Sequence, residues 1–278
     1  MKSEIIGLTD WLGTPPGAYL LDWERSRFDL AVSDIFGYHA LQLGFPQLDA
    51  LQNNRMPHKW LALASREKQT LMLPSSGGPA HRTGPESISS PRAAIYTDSA
   101  ALPFPESSLD LVALPHTLEL GSDPHSALRE VARVLVPEGR VVISGFNPAS
   151  LWGLRQRRDH LYQRFGHEGL FLPDAGKYIG YWRLRDWLRL LDFEVESAQF
   201  GCYRPALKSQ QWLDRFDWMD HAGKRWWPIF GAVYFLVAIK HVRGMRLLEP
   251  GWKTHKAPVV GPAIVASKKP AGRVKITD

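Results

Sequence analysis

The feature that most constrains this chain is a regular alternation of short apolar runs with helical stretches. Ala93 to Asp98 reads as a strand ending in an acid, and Leu109 to Pro115 as the next. Asp123-Pro124 opens a helix through Leu128, Val131 and Leu135, which the turn Pro137-Glu138-Gly139 closes before the strand Gly139 to Gly145. Near-continuous apolar strands joined by helices predict βαβ units, hence a parallel sheet with helices on both faces. Upstream, Thr14-Pro15-Pro16 predicts a helix start, with an N-cap hydroxyl and proline in the first turn, and the helix runs to about Ser33. Tyr38 to Gly44 then reads as a strand, Pro46 to Asn54 as a helix, and Trp60 to Ala64 as a weaker strand. Downstream, a helix carries Leu184, Trp187, Leu188 and Leu191. Two further strands, Phe193 to Phe200 and Gly231 to Val242, are separated by a helical insertion. That separation predicts a closing antiparallel pair.

Composition narrows the class. A chain of 278 residues allows one or two domains at roughly 150 residues each. With no internal repeat and no second core, one domain over residues 1–250 is expected, with family-specific insertions at 150–230. The Ser-, Gly- and Pro-rich stretch 74–91 is expected to be a mobile loop. From Gly251 onward six basic residues face one acid. This tail therefore carries +5 of the net +6, and residues 1–250 are nearly neutral at +1. Rich in Pro, Gly and Ala, residues 251–278 are expected to be a basic disordered tail. The lone cysteine, Cys202, excludes an internal disulfide framework and a multi-cysteine zinc site, and points to a reducing, cytoplasmic setting. His221, His241 and His255 lack metal-ligand spacing, so no metal is assigned. No apolar core of signal-peptide length follows Met1. The most apolar run, Ile229 to Ile239, is far shorter than the roughly 20 residues of a membrane span. That run reads as a buried strand, and Trp226-Trp227-Pro228 before it as core packing.

The most specific constellation lies between residues 97 and 145. It comprises Thr97-Asp98-Ser99, Leu102-Pro103-Phe104, Leu109-Asp110-Leu111, Leu114-Pro115-His116, Glu119, Asp123-Pro124, Leu128-Arg129-Glu130, Arg133-Val134-Leu135 and Pro137-Glu138-Gly139. In this order and spacing it resembles the class I S-adenosylmethionine-dependent methyltransferases, specifically the methyltransferase type 11 group. The resemblance covers roughly residues 38–146. It implies a Rossmann-like α/β fold: a seven-stranded, mostly parallel sheet with helices on both faces and an antiparallel terminal strand pair. It also implies S-adenosyl-L-methionine as cofactor and methyl transfer to an acceptor that it leaves open.

Carried onto this sequence, the resemblance places Asp98 at the end of the third strand, near the adenine amine, with Ser99 beside it. Leu114, Pro115 and His116 follow the fourth strand, next to the methionine moiety and the substrate. A plainer reading stands beside each: Asp98 ends a strand or caps a turn, and His116 with Glu119 orients a helix. The first strand departs from the family pattern. Gln42 stands where an acid is expected, Gly44 keeps the first glycine, and Pro46 and Leu48 replace the second and third. Proline removes a donor and fixes φ, while leucine brings a side chain where close approach needs none. The acid expected after the second strand is also missing; Ala64-Ser65 stands there, and Glu67 follows.

Two accounts of this departure compete. In one, Gln42 and Gly44 still contact the cofactor and Pro46 begins a helix whose N-terminus faces it. In the other, the fold persists as a cofactor-free binding or scaffold module. Methyl transfer from a sulfonium demands positioning above all, with a base only when the acceptor needs one, so no catalytic residue is assigned. For the acceptor, Arg155, Arg157 and Arg158, interleaved with Trp152, Tyr162 and Phe165, suit an anionic or aromatic compound, or a nucleic acid. A solvated helix face with its aromatics tucked inward explains them equally well. The basic tail gives the nucleic-acid reading its other support.

Overall fold

In the computed structural model the structure describes residues 8–63, 95–163, 170–173 and 178–241. The chain divides into two compact units, residues 1–242 and 243–278, and the described residues belong to the first. The expected loop 74–91 and tail 251–278 lie outside the described residues.

Two helices lead in: α1 (Leu8–Leu12) and α2 (Pro15–Ser33). Helix α2 begins where Thr14 is extended, its hydroxyl donating back to Trp11 O at 2.5 Å, with proline in the first turn. It buries Pro16, Leu20, Glu24, Phe28 and Val32, a stripe at four-residue spacing that includes one acid. Then come β1 (His39–Leu43), β2 (His58–Leu63), β3 (Ile95–Tyr96), β4 (Leu109–Pro115), the single turn α3 (Thr117–Leu120), α4 (Pro124–Val134) and β5 (Leu135–Phe146). The chain closes with α5 (Leu151–Gln163), α6 (Tyr181–Leu190), β6 (Phe193–Gly201), α7 (Gln210–Arg215), α8 (Trp218–Trp226), a 3-10 turn (Pro228–Phe230) and β7 (Val233–Lys240).

The seven strands form one sheet in the order β3-β2-β1-β4-β5-β7-β6. Strands β3 to β5 pair in parallel, and β7 runs antiparallel to both β5 and β6, as the sequence predicts. The order reverses between β1 and β4, which makes their carboxyl ends the topological switch point. Side chains of β5 alternate between the two faces. Val142 and Phe146 join Leu20, Phe28, Leu48 and Phe235 on the α2 side. Val141 and Ile143 join Leu128, Val131, Leu184 and Leu188 on the other. Helix α4 is fixed at its start by Asp123, whose Oδ1 accepts from the N–H groups of His125 and Ser126 at 3.0 and 3.1 Å.

Three expectations need correction. Pro137-Glu138-Gly139 is not the turn that precedes a strand: it lies within β5, because that strand already begins at Leu135. No helix forms over Pro46 to Asn54; the segment is a series of turns. The buried strand expected over Ile229 to Ile239 starts only at Val233, and Trp226-Trp227-Pro228 is not core: Trp226 is 75% exposed and Phe230 55%. The physical reason for the missing helix lies in Gln42. For the late start of the strand it lies in three hydrogen bonds, from Asn147 and Tyr203, that hold residues 228, 229 and 231 by their backbone carbonyls.

Candidate active site at the carboxyl ends of β1, β3 and β4

Gln42 occupies the penultimate position of β1 and is only 2% exposed. Its Nε2 donates to the carbonyls of Gly44, Phe45 and Leu48 at 3.2, 3.1 and 2.7 Å, and its Oε1 accepts from Ala50 N at 2.8 Å. One amide thus engages four backbone groups of the loop and holds it as turns. A carboxylate here would face three carbonyls with no proton to offer, which accounts for glutamine where the resemblance expects an acid. Gly44 has φ +69, a left-handed turn that favours glycine, and the next residue, Phe45, is also left-handed at φ +52. Beyond this corner the chain runs toward α2. Phe45 and Leu48 are fully enclosed among the α2-side core residues, so the leucine at the third glycine position points into the core.

The carboxyl end of β4 carries a buried charge cluster. His116, left-handed at φ +50, is 1% exposed. Its Nδ1 lies 2.9 Å from Glu119 Oε2, and its Nε2 lies 2.9 Å from Glu24 Oε1. The contact with Glu24 is an ion contact and not an in-line hydrogen bond, and neither Glu24 oxygen receives a hydrogen bond from the described residues. Burial alone would lower the imidazole pKa, but the carboxylates of Glu24 and Glu119 outweigh it and raise it to about 10. Burial also raises Glu119, against the pull of His116 and of Phe146 N, which donates to its Oε1 at 2.7 Å. The ring of His116 packs against Phe45 and Phe146, tilted to both, with centroids 5.3 and 4.5 Å away. Four pieces of chain meet here: α2, the turn after β1, α3 and the end of β5.

Thr117 closes the base of the switch point. Its hydroxyl donates to Leu43 O, tying the end of β1 to the turn after β4. A Cβ on Gly44 would stand 3.5 Å from the same hydroxyl oxygen.

Asp98 and Ser99 follow β3. Asp98 is exposed, and its Oδ1 accepts from Ala100 N at 3.1 Å, which shapes the turn. The Ser99 hydroxyl approaches Gly121 at the end of α3. The loop is fastened from α4: Arg133 donates to the carbonyls of Leu102 and Phe104 at 3.1 and 2.9 Å, and Glu130 accepts from Leu102 N at 3.1 Å. Leu114 and Pro115 are buried.

The structure therefore brings Gly44, Asp98, Ser99, Pro115 and His116 to one edge of the sheet. It separates out Gln42, whose amide is spent on the loop, and Leu114, whose side chain belongs to the opposite core face. Ala64, Ser65 and Glu67 lie outside the described residues. Sequence reasoning missed Glu24, Thr117, Glu130 and Arg133 as parts of the site. Glu24 had a signal: it is an acid on the apolar stripe Leu20, Glu24, Phe28, Val32. Among the described residues there is no cluster of three or more His, Cys, Asp or Glu side chains able to hold a metal, and no helix long and apolar enough to cross a membrane. Of the three arginines on α5, Arg155 is engaged internally, donating to Ala206 O and lying over Phe171 at 4.7 Å. Arg157 and Arg158 face solvent.

Comparison with known proteins agrees with this architecture. The methyltransferase domain family matches residues 82–143. YafS, an uncharacterized protein of Escherichia coli K12, is 33% identical over 178 residues, 63% of this chain and 66% of that protein. A malonyl-[acyl-carrier protein] O-methyltransferase of Halorhodospira halophila is 41% identical over 61 residues, 22% of this chain and 21% of that one. The chain thus spans just under two thirds of the first relative's length and about a fifth of the second's. Among solved structures, a chain from a complex of the Haloferax volcanii Trm112 methyltransferase activator superposes with a TM-score of 0.50 at 15% identity. The match covers 84% of this chain and 96% of that one, and it supports the fold alone. With the matched domain over residues 82–143, the 3-2-1-4-5-7-6 sheet and the strand-end residues together, the chain is similar to the class I S-adenosylmethionine-dependent methyltransferases of the type 11 group.

Proposed function

We propose that the chain is an S-adenosylmethionine-dependent methyltransferase. The observation that carries the reading is the switch-point edge itself: a left-handed Gly44 ends β1 and an exposed Asp98 carboxylate follows β3. These residues suit the cofactor, because Leu48 and Phe45, the bulky residues of the degenerate loop, are buried toward α2. Asp98 and Ser99 would hold the adenosine side; Gly44, Pro115 and His116 would border the methionine side. When bound, the cofactor supplies an electrophilic sulfonium methyl group. Gln42 shapes the loop that carries Gly44. His116, enclosed and protonated between two carboxylates, keeps its proton and acts as a positioning residue. Exposed Arg157 and Arg158 on α5 favour an anionic or aromatic acceptor. Buried, unpaired Cys202 suits a reducing, cytoplasmic setting.

A second reading, a cofactor-free module, draws on one specific observation: Thr117 bridges to Leu43 across the base of the crevice. Methyl incorporation separates the two. The chain is incubated with methyl-tritiated S-adenosylmethionine and, in parallel, soluble and membrane extracts. Transfer to an extract component that is lost in Asp98→Ala is the expected result. No transfer above the no-enzyme background, from a folded sample, would favour the module.

A further inference from the structure

Residues 224–230 read Lys-Arg-Trp-Trp-Pro-Ile-Phe, and all seven are exposed. Trp226 stands at 75%, Phe230 at 55% and Ile229 at 45%, directly after two cations. Trp218 on the same helix, α8, is 58% exposed. A concentration of exposed apolar side chains of this kind is a mark of an interaction site.

The fold holds this segment outward. Asn147, buried at the end of β5, donates to the carbonyls of Ile229 and Gly231 at 2.7 and 2.9 Å. The Tyr203 hydroxyl donates to Pro228 O at 2.8 Å. Gly223 presses against the Tyr203 ring so closely that any side chain there would collide with it. The backbone is thus pinned from beneath while the indole and phenyl rings remain in water.

Charge identifies the occupant. The nearby acids Asp217 and Asp220 are drawn to Arg204, which leaves Lys224 and Arg225 as the charges flanking the aromatic run. Between His221 and Gly231 there is no acidic residue. Tryptophans that sit at headgroup depth, beside cations that reach the phosphates, match a bilayer interface. A protein interface shares the aromatics and the arginine but is depleted in lysine, and Lys224 beside Arg225 sets this run apart from one. We propose that residues 224–230, with Trp218, form a docking surface for an anionic lipid bilayer. Through Asn147 the surface is joined to the strand edge that holds His116 and Phe146. The proposal stands independently of the methyltransferase reading, since no part of its test involves the cofactor.

The test is co-sedimentation of the full chain with vesicles of phosphatidylcholine alone and of three parts phosphatidylcholine to one part phosphatidylglycerol. Preferential binding to the anionic vesicles is expected, abolished in Trp226→Ser/Trp227→Ser/Phe230→Ser. A second variant, Lys224→Gln/Arg225→Gln, keeps the apolar residues and is expected to weaken anionic binding about five-fold per charge removed. It decides the matter if the serine variant fails to fold. Three results would overturn the proposal. One is no vesicle binding. Another is binding unchanged in the variants, which would place it elsewhere in the chain. The third is a dimer that light scattering shows to dissociate in the serine variant, which would make the surface a self-interface.

Discussion

Glu24, in the middle of α2, lies 2.9 Å from Nε2 of His116 at the end of β4, and neither side chain reaches water. The contact spans more than ninety residues of sequence and fastens the leading helix onto the switch point. Removing one partner of a buried pair leaves the other charge uncompensated, typically at about 3–5 kcal/mol. Glu24→Ala and His116→Ala are each expected to destabilise the chain on that scale in urea titration. The double variant should lose much less than the sum. Losses under about 1 kcal/mol would show the pair to be incidental.

The same cluster sets a pH dependence. The folded pKa of His116 is raised from 6.5 to about 10, so the folded state binds its proton more tightly than the unfolded chain does. Its stabilisation is complete below about pH 6.5 and is lost as pH rises toward 10. Raised Glu119 acts in the same direction at lower pH, since the folded state again holds the proton longer. Thermal midpoints should therefore fall between pH 7 and pH 10, and His116→Gln should flatten that decline. An identical slope in both proteins would remove His116 as its source.

Gln42→Glu, which restores the acid of the family pattern, is expected to destabilise the chain more than Gln42→Ala. The carboxylate would face the carbonyls of Gly44, Phe45 and Leu48, which now share the two protons of Nε2. Each unsatisfied buried group costs about 1–3 kcal/mol. Equal stability of the glutamate variant and the wild type in urea would show that another group holds the loop.

Arg133→Ala is expected to weaken cofactor binding without touching the cofactor. It releases the carbonyls of Leu102 and Phe104, and with them the loop that presents Asp98. A several-fold loss of affinity, with the variant still folded by circular dichroism, is the predicted result. Unchanged affinity would mean that the loop keeps its shape unaided.

Much of the fold was legible because β1, β4, β5 and β7 are buried along most of their length and so read as plain apolar runs. The antiparallel β6–β7 closure followed from two strands with a helical insertion between them. The turns over 46–54 were not legible, because a single buried amide, Gln42, organises them through contacts that no local propensity encodes. The same holds for the exposed tryptophans: apolar composition predicts burial, while the hooks at Asn147 and Tyr203 are tertiary. In the site, Gly44 and Asp98 lie on a motif of fixed spacing. Glu24 belongs to the same edge only because α2 packs back across it.

The most direct test of the central claim is a calorimetric titration of S-adenosylmethionine and S-adenosylhomocysteine into the folded chain, with Asp98→Ala as control. Micromolar binding that weakens about ten-fold in the variant, the scale of one lost polar contact at about 1.4 kcal/mol, is the predicted result. Absence of heat with both ligands, from a chain that melts cooperatively, would contradict it.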